Sequence, residues 1–251
     1  MGELLNQPEL ALNFLACPKA SFDVVGSAID GGRNGIGESQ TIEMSGGGIV
    51  TAAFEDCKIV SKDQMRYINR LGARLNGGFR NIIVPIPTAW FGPYPTINGI
   101  PSPFITGIPH SDGSLFTDGS GYRQATVWGH TLEYAALGAG QIKIRIFASP
   151  RDFEGDWFSI KHSVKGWRAY RDWDCDKIGS GTADIGGGAT ASYSDFNVAI
   201  QPPLRQATEN LTPINVARPR FVGKFKADFT LPSVVEAFFV TQQTIQFSEA
   251  F

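Results

Sequence analysis

His110, Asp112 and Asp118 fall within nine residues in "HSDGSLFTDGSGY" (110–122), wrapped in glycine and serine. Two chemistries use these residue types. Paired aspartates can offer oxygen ligands to a hard cation. A histidine beside an aspartate can act as general base for a serine. Neither pattern is completed. Asp112 and Asp118 are six apart and no acidic residue closes the loop, so this is no EF-hand. Nothing marks a nucleophile, and His130 and His162 lie elsewhere in the chain. GxSxG, P-loop, HExxH and strand-borne GxGxxG motifs are absent from the sequence. The Asp-Gly and Ser-Gly pairs read first as tight turns, with each carboxylate bonding nearby backbone N–H groups. No catalytic residue, metal ligand or cofactor follows, and the chain is expected not to be an enzyme.

A second pattern is electrostatic. Lys62, Arg66, Arg70 and Arg74 recur every four residues, which puts four cations on one face of a helix. Such a face is either simply solvated or set against acidic groups of a partner or neighbouring subunit. Trp90, Phe91 and Tyr94 stand in a Pro/Gly-rich stretch with no periodicity to bury them, which suits a contact surface. The other tryptophans (128, 157, 167, 173) are expected mainly in the core.

These residues need elements to hold them. The chain has 251 residues, 29 of them glycine and 15 proline, with 12% aromatic and 18% charged residues. Frequent turns with large side chains favour many short strands. The net charge of −2 gives no bulk attraction to nucleic acid, and no sequence-specific nucleic-acid recognition is expected. Cys17, Cys57 and Cys175 show no zinc spacing, and a disulfide framework is not expected in so long a chain. "MGELLNQPELALNFLACPKA" lacks the basic start of a secretory signal, and no run reaches a membrane span, so synthesis in the cytoplasm is expected.

Residues 1–40 read as one short strand ("FDVV") and an irregular glycine-rich loop; 40–60 read as a β-hairpin. "SKDQMRYINRLGARLNGG" predicts the one helix. Ser61 and Gln64 form a capping box, Asp63 suits the positive end, Met65, Ile68, Leu71, Gly72 and Leu75 make the buried stripe, and Gly77 supplies the stop. "FRNIIVPIP" is a strand, and 88–121 a long loop. Beyond it, "QIKIRIF", "DWFSIKH", "GWRAYRDW", "SYSDFNVAIQ" and "FVGKFKADF" are short strands suited to a barrel. No repeat at a fixed period stands out.

The order of features resembles the distal tail proteins of long-tailed bacteriophages and gene transfer agents. The stretches that carry this are "DQMRYINRLGARLNGGFRNIIVPIP", "PHSDGSLFTDGSGY" and "GDWFSIKH…GWRAYRDW…SDFNVAIQPPLR". The resemblance implies a mainly β fold: a small β-sandwich core with one α-helix, and an inserted OB-like or small β-barrel domain. Residues 1–87 and 231–251 would form the core, and 88–230 the long loop and barrel. It implies a structural virion protein of the tail tip, made in the host cytoplasm. Six copies would form a ring joining the tail tube protein to the tail-tip hub protein, with side fibres or host-surface glycan as further partners. Lys62, Arg66, Arg70, Arg74, Trp90, Phe91 and Tyr94 are the expected interface residues. The competing readings are a carbohydrate-binding module and a hydrolase of host surface polymers.

Overall fold

A computed structural model describes residues 7–12, 14–15, 17–26, 28–43, 46–87, 96–97, 100–101, 104–108, 110, 112–125, 127–149, 152–184, 190–231 and 241–251. In chain order it contains β1 (Lys19–Val25), β2 (Ala28–Arg33), β3 (Ser39–Glu43), β4 (Ile49–Ile59), α1 (Lys62–Leu75) and β5 (Ile82–Pro85). Three small hairpin strands follow, β6 (Thr96–Ile97), β7 (Ile100–Pro101) and β8 (Phe104–Ile108). Then come β9 (Tyr122–Ala125), β10 (Trp128–Thr131), β11 (Gln141–Phe147), β12 (Trp157–His162), β13 (Gly166–Asp184) and β14 (Thr190–Gln201). The last are β15 (Pro213–Asn215), β16 (Arg220–Phe225) and β17 (Thr241–Glu249). Among the described residues the fold is mainly β with one α-helix, and it contains a closed barrel.

One unit is a five-stranded sheet in the order β1-β4-β17-β16-β5, antiparallel at every pairing. In β4, Val50, Ala52 and Phe54 are buried, and then the alternation changes phase to Cys57 and Ile59. The cause is local. Asp56 adopts φ 55°, and the register against β17 shifts between Gln243 and Ile245. An extra residue is thereby inserted, and the pleat restarts with the opposite parity inward.

The helix forms as its sequence dictates. The Gln64 N–H donates to Ser61 Oγ at 3.1 Å, and the Ser61 N–H donates back to Gln64 Oε1 at 3.2 Å. Gly77 closes it at φ 64°. Ile68, Leu71 and Leu75 are buried with Phe54, Phe221, Phe225 and Phe247 of the sheet. Full burial of one such side chain contributes roughly 1.5–3 kcal/mol.

The second unit is the barrel, β10-β11-β14-β13-β12-β15, closed on itself. Ile142, Ile144 and Ile146 of β11 face Phe196, Val198 and Ile200 of β14, with Phe158, Ile160, Tyr170 and Ile214 completing the core. Closure requires Gly129. A Cβ there would sit 2.3 Å from the Arg145 carbonyl oxygen and 2.9 Å from Ile214.

Four expectations need correction. Residues 40–60 are not one hairpin: β3 pairs with β2, whereas β4 lies between β1 and β17. The glycine-rich stretch after β1 is the ordered β2–β3 hairpin rather than an irregular loop. It lacks a period because all of β2 is exposed, so no face had to be apolar. Residues 88–121 include β6, β7 and β8, the last paired with β9. Finally, β16 belongs with β5 and β17 in the sheet, so residues 220–225 lie outside the barrel to which 88–230 had been assigned.

Cysteine pairing also departs from expectation. Cys17 and Cys57 are joined as a disulfide, while Cys175 is free. The phase change in β4 is what turns Cys57 inward towards Cys17.

Candidate functional site

The stretch 110–122 is a turn repeated. The Ser114 N–H and Oγ both donate to Asp112 Oδ1, at 2.9 and 2.6 Å. Six residues on, the Ser120 N–H and Oγ do the same to Asp118 Oδ1 at the same distances. Gly113 (φ 83°) and Gly119 (φ 79°) hold the left-handed positions. The His110 N–H donates to the Ser114 carbonyl, and the Phe116 N–H to the Ser120 carbonyl, each at 2.8 Å. A period of six is therefore present, too short to have stood out in the sequence. It also brings His110, Phe116 and Tyr122 together, with ring centroids 4.8–5.0 Å apart and edges against faces.

Both carboxylates are thus engaged by their own turns. The Ser114 and Ser120 hydrogen bonds hold Asp112 and Asp118 below the ordinary aspartate pKa. His110 Nδ1 lies 3.1 Å from the Tyr122 hydroxyl, not against either aspartate. Among the described residues no three His, Cys, Asp or Glu side chains group closely enough to hold a metal ion.

The helix presents its cations outward. Lys62, Arg66, Arg70 and Arg74 are all exposed. Arg66 meets Asp63 at 3.3 Å, on the surface. The side chains of Lys62, Arg70 and Arg74 make no hydrogen bond or ion pair among the described residues. Trp90, Phe91 and Tyr94 lie outside the described residues. Of the other tryptophans, Trp167 is buried, Trp128 and Trp157 are half-buried, and Trp173 is 68% exposed. The expectation of a core role therefore fails for Trp173. It stands at the irregularity where the β13–β14 register shifts between Asp172 and Asp174.

The outer face of the barrel carries an aromatic ladder. Trp128 stacks on Phe147 at 4.6 Å, and Phe147 meets Tyr193 edge-on at 5.8 Å. Arg145 lies 3.7 Å over the Tyr193 ring and forks onto Asp195 at 2.7 and 2.8 Å. Gly181 makes room: a Cβ there would be 2.7 Å from the Tyr193 hydroxyl.

Sheet and barrel are joined by buried charge. Glu249 of β17 accepts from Arg168 of β13 at 3.1 Å and from Arg205 at 3.2 Å. The Arg168 and Glu249 side chains are fully buried. Arg168 also donates to the Ala250 carbonyl, and Arg205 to the carbonyls of Gly46 and Gly48. Phe251 lies over both guanidinium groups. Beside this plug, the Tyr170 hydroxyl is 2.7 Å from His162 Nε2 and accepts from the Arg205 N–H. Burial, then the charge on Arg168, pushes the His162 pKa down to about 4. Ile83, Val222 and Ala250 of the sheet unit and Trp167 of β13 form an apolar patch at the same join.

Sequence reasoning found the cationic face and the turn character of 110–122. It missed the join, whose bonded members are up to 159 residues apart in sequence and carry no shared motif. No family model matches the chain, and no curated protein matches it. Among the described residues no helix is long and apolar enough to cross a membrane.

Proposed function

We propose that the chain is a structural protein of a phage tail tip. Copies would assemble head to tail into a ring between the tail tube protein and the tail-tip hub protein. The observation that carries this reading is the interrupted sheet. The chain builds β1, β4, α1 and β5, leaves to make a barrel, and returns with β16 and β17 to complete the same sheet. The tail-protein resemblance implies a core interrupted in this manner, although with the return at residue 231 rather than 220.

The join supports the reading physically. A ring under load needs its two units to move as one body, and the buried Arg168–Glu249–Arg205 cluster ties them. The geometry of 110–122 adds a loop shaped by its own turns, with its two carboxylates taken up locally. In this reading the exposed cations of α1 face a neighbouring subunit.

A decisive test is labelling. Gold-conjugated antibody to the chain should mark the tail end of particles released by cells carrying the gene. Label confined to unassembled material would overturn the assignment.

Carbohydrate binding is kept as the second reading because of Trp173. It stands exposed beside a groove of about 310 Å³ lined by Gly47, Ile200, Gln201 and Pro203. A tryptophan face next to an amide side chain suits a sugar ring. Retention of host-surface glycan on an array, lost in Trp173→Ala, would favour it. An array with no binding would remove it.

A further inference from the structure

The cationic face of α1 has its complement elsewhere on the same chain. Glu154, Asp174 and Asp176 are exposed and make no side-chain hydrogen bond or ion pair among the described residues. They converge from the loop before β12 and from the middle of β13. Two contacts place that loop beside the strand: the Gly155 N–H donates to Asp172 Oδ2 at 2.7 Å, and Lys177 meets Asp152 at 3.4 Å. In keeping with this, burial, and then the carboxylates of Asp172, Asp176, Asp174 and Glu154, push the Cys175 thiol up to about 12. Beyond Asp172, whose N–H still donates to the Asp156 carbonyl, β13 pairs only with β14 among the described residues, so this stretch has an open edge.

We infer that the acidic shelf of Glu154, Asp174 and Asp176 on one copy seats the Lys62, Arg70 and Arg74 face of α1 on the next copy. This rests on the ring reading and names the two surfaces that meet.

Three observations carry it. The first is sign. Residues 62–75 hold four cations and a single acid, Asp63, which already faces Arg66. The shelf is acidic, and its nearby Lys177 is tied to Asp152 at 3.4 Å.

The second is pitch. Cations four residues apart on a helix are spaced at ~6 Å. Carboxylates two residues apart on a strand are spaced at ~6.6 Å. A helix laid along β13 thus sets Arg70 and Arg74 against Asp174 and Asp176 at matching spacing, with Lys62 a further ~12 Å along the helix.

The third is the apolar flanking. Val60 and Phe79 are exposed on either side of α1 in sequence, and Phe79 is 81% exposed. Trp173 and Ile178 are exposed on either side of Asp174 and Asp176. Exposed ion pairs contribute only ~0–1 kcal/mol each, so the charges steer and set register. The flanking apolar side chains supply buried area. Two different faces of one chain in contact make a heterologous interface, which propagates into a ring or a filament.

The test is charge reversal in the full chain, read by sedimentation velocity at low and high ionic strength. The variant K62E/R70E/R74E and the variant E154K/D174K/D176K should each lose the oligomer, weakening association about tenfold or more. Circular dichroism should show both still folded, since every substituted side chain is exposed. A chain carrying all six reversals should assemble again. Zero-length carbodiimide cross-linking of the unaltered chain should join Lys62 to Glu154, Asp174 or Asp176 of another copy. Oligomers indifferent to both triple reversals would overturn this pairing and leave the ring reading standing. A wild-type chain that stays monomeric at every concentration would overturn both.

Discussion

Asp112 and Asp118 each accept two hydrogen bonds at Oδ1 from a serine two residues on, so one oxygen of each carboxylate is committed to shaping its own turn. Replacing both by alanine should speed amide exchange at Ser114 and Ser120 and leave the melting temperature unchanged. Because those bonds hold both carboxyls below their ordinary range, the Ser114 and Ser120 amide resonances should titrate at a pH below ~3.9. Titration at the ordinary value would show that the turns do not persist in solution.

Two buried groups set the acid response with opposite signs. His162 is held at about 4 when folded. The unfolded chain takes up that proton from ~6.5 downward, so stability falls as pH drops from 6.5 to 4. Asp172 is pushed up to about 6 by burial, against the opposing hydrogen bond from the Gly155 N–H at 2.7 Å. Here the folded chain takes up the proton first, so stability is gained as pH falls from 6 to ~3.8. The two largely offset each other. Asp172→Asn keeps an acceptor for Gly155 and removes the charge. It should raise stability by roughly 1–3 kcal/mol above pH 6 and expose the full loss from His162 in acid. Urea titrations of both chains from pH 7 to 4 check this. A variant less stable than the wild type at pH 7 would contradict it.

The join between sheet and barrel is an element-scale device. Glu249→Ala would leave two buried guanidinium groups without their carboxylate. It should cost about 3–5 kcal/mol. Unfolding of sheet and barrel should also separate into two transitions, visible by calorimetry. A single transition with little loss would show the join to be incidental. The Cys17–Cys57 link closes a loop across β1, β2 and β3, with a sequence separation of 40. Its removal by Cys17→Ser with Cys57→Ser should cost roughly 2–4 kcal/mol. Non-reducing peptide mapping should find the 17–57 pair with Cys175 as the free thiol.

How far the sequence could be read follows from where each signal resides. The helix was legible because cap, stripe and stop are all local, as were the isoleucines of β11. Sheet order was not. β4 lies beside β17, with Ala52 opposite Phe247, and only the finished core makes them neighbours. "FVGKFKADF" has the same alternation whichever sheet receives it, so β16 could not be assigned from pattern. The cations of α1 were legible as a face, but their acidic counterpart was not, because Glu154 and the β13 aspartates converge only in the fold.

At the scale of the whole molecule, the parts fit a building block. A closed barrel is tied to a sheet by buried charge, and charge of opposite sign is displayed on α1 and on β13. Such a chain is suited to repeat itself head to tail. The measurement that bears most directly on this is the mass and symmetry of the purified full chain. Native mass spectrometry with negative-stain imaging should show closed rings of six copies, dissociating as ionic strength rises. A chain that remains a monomer, or that pairs into two-fold dimers using one face against itself, would contradict the account.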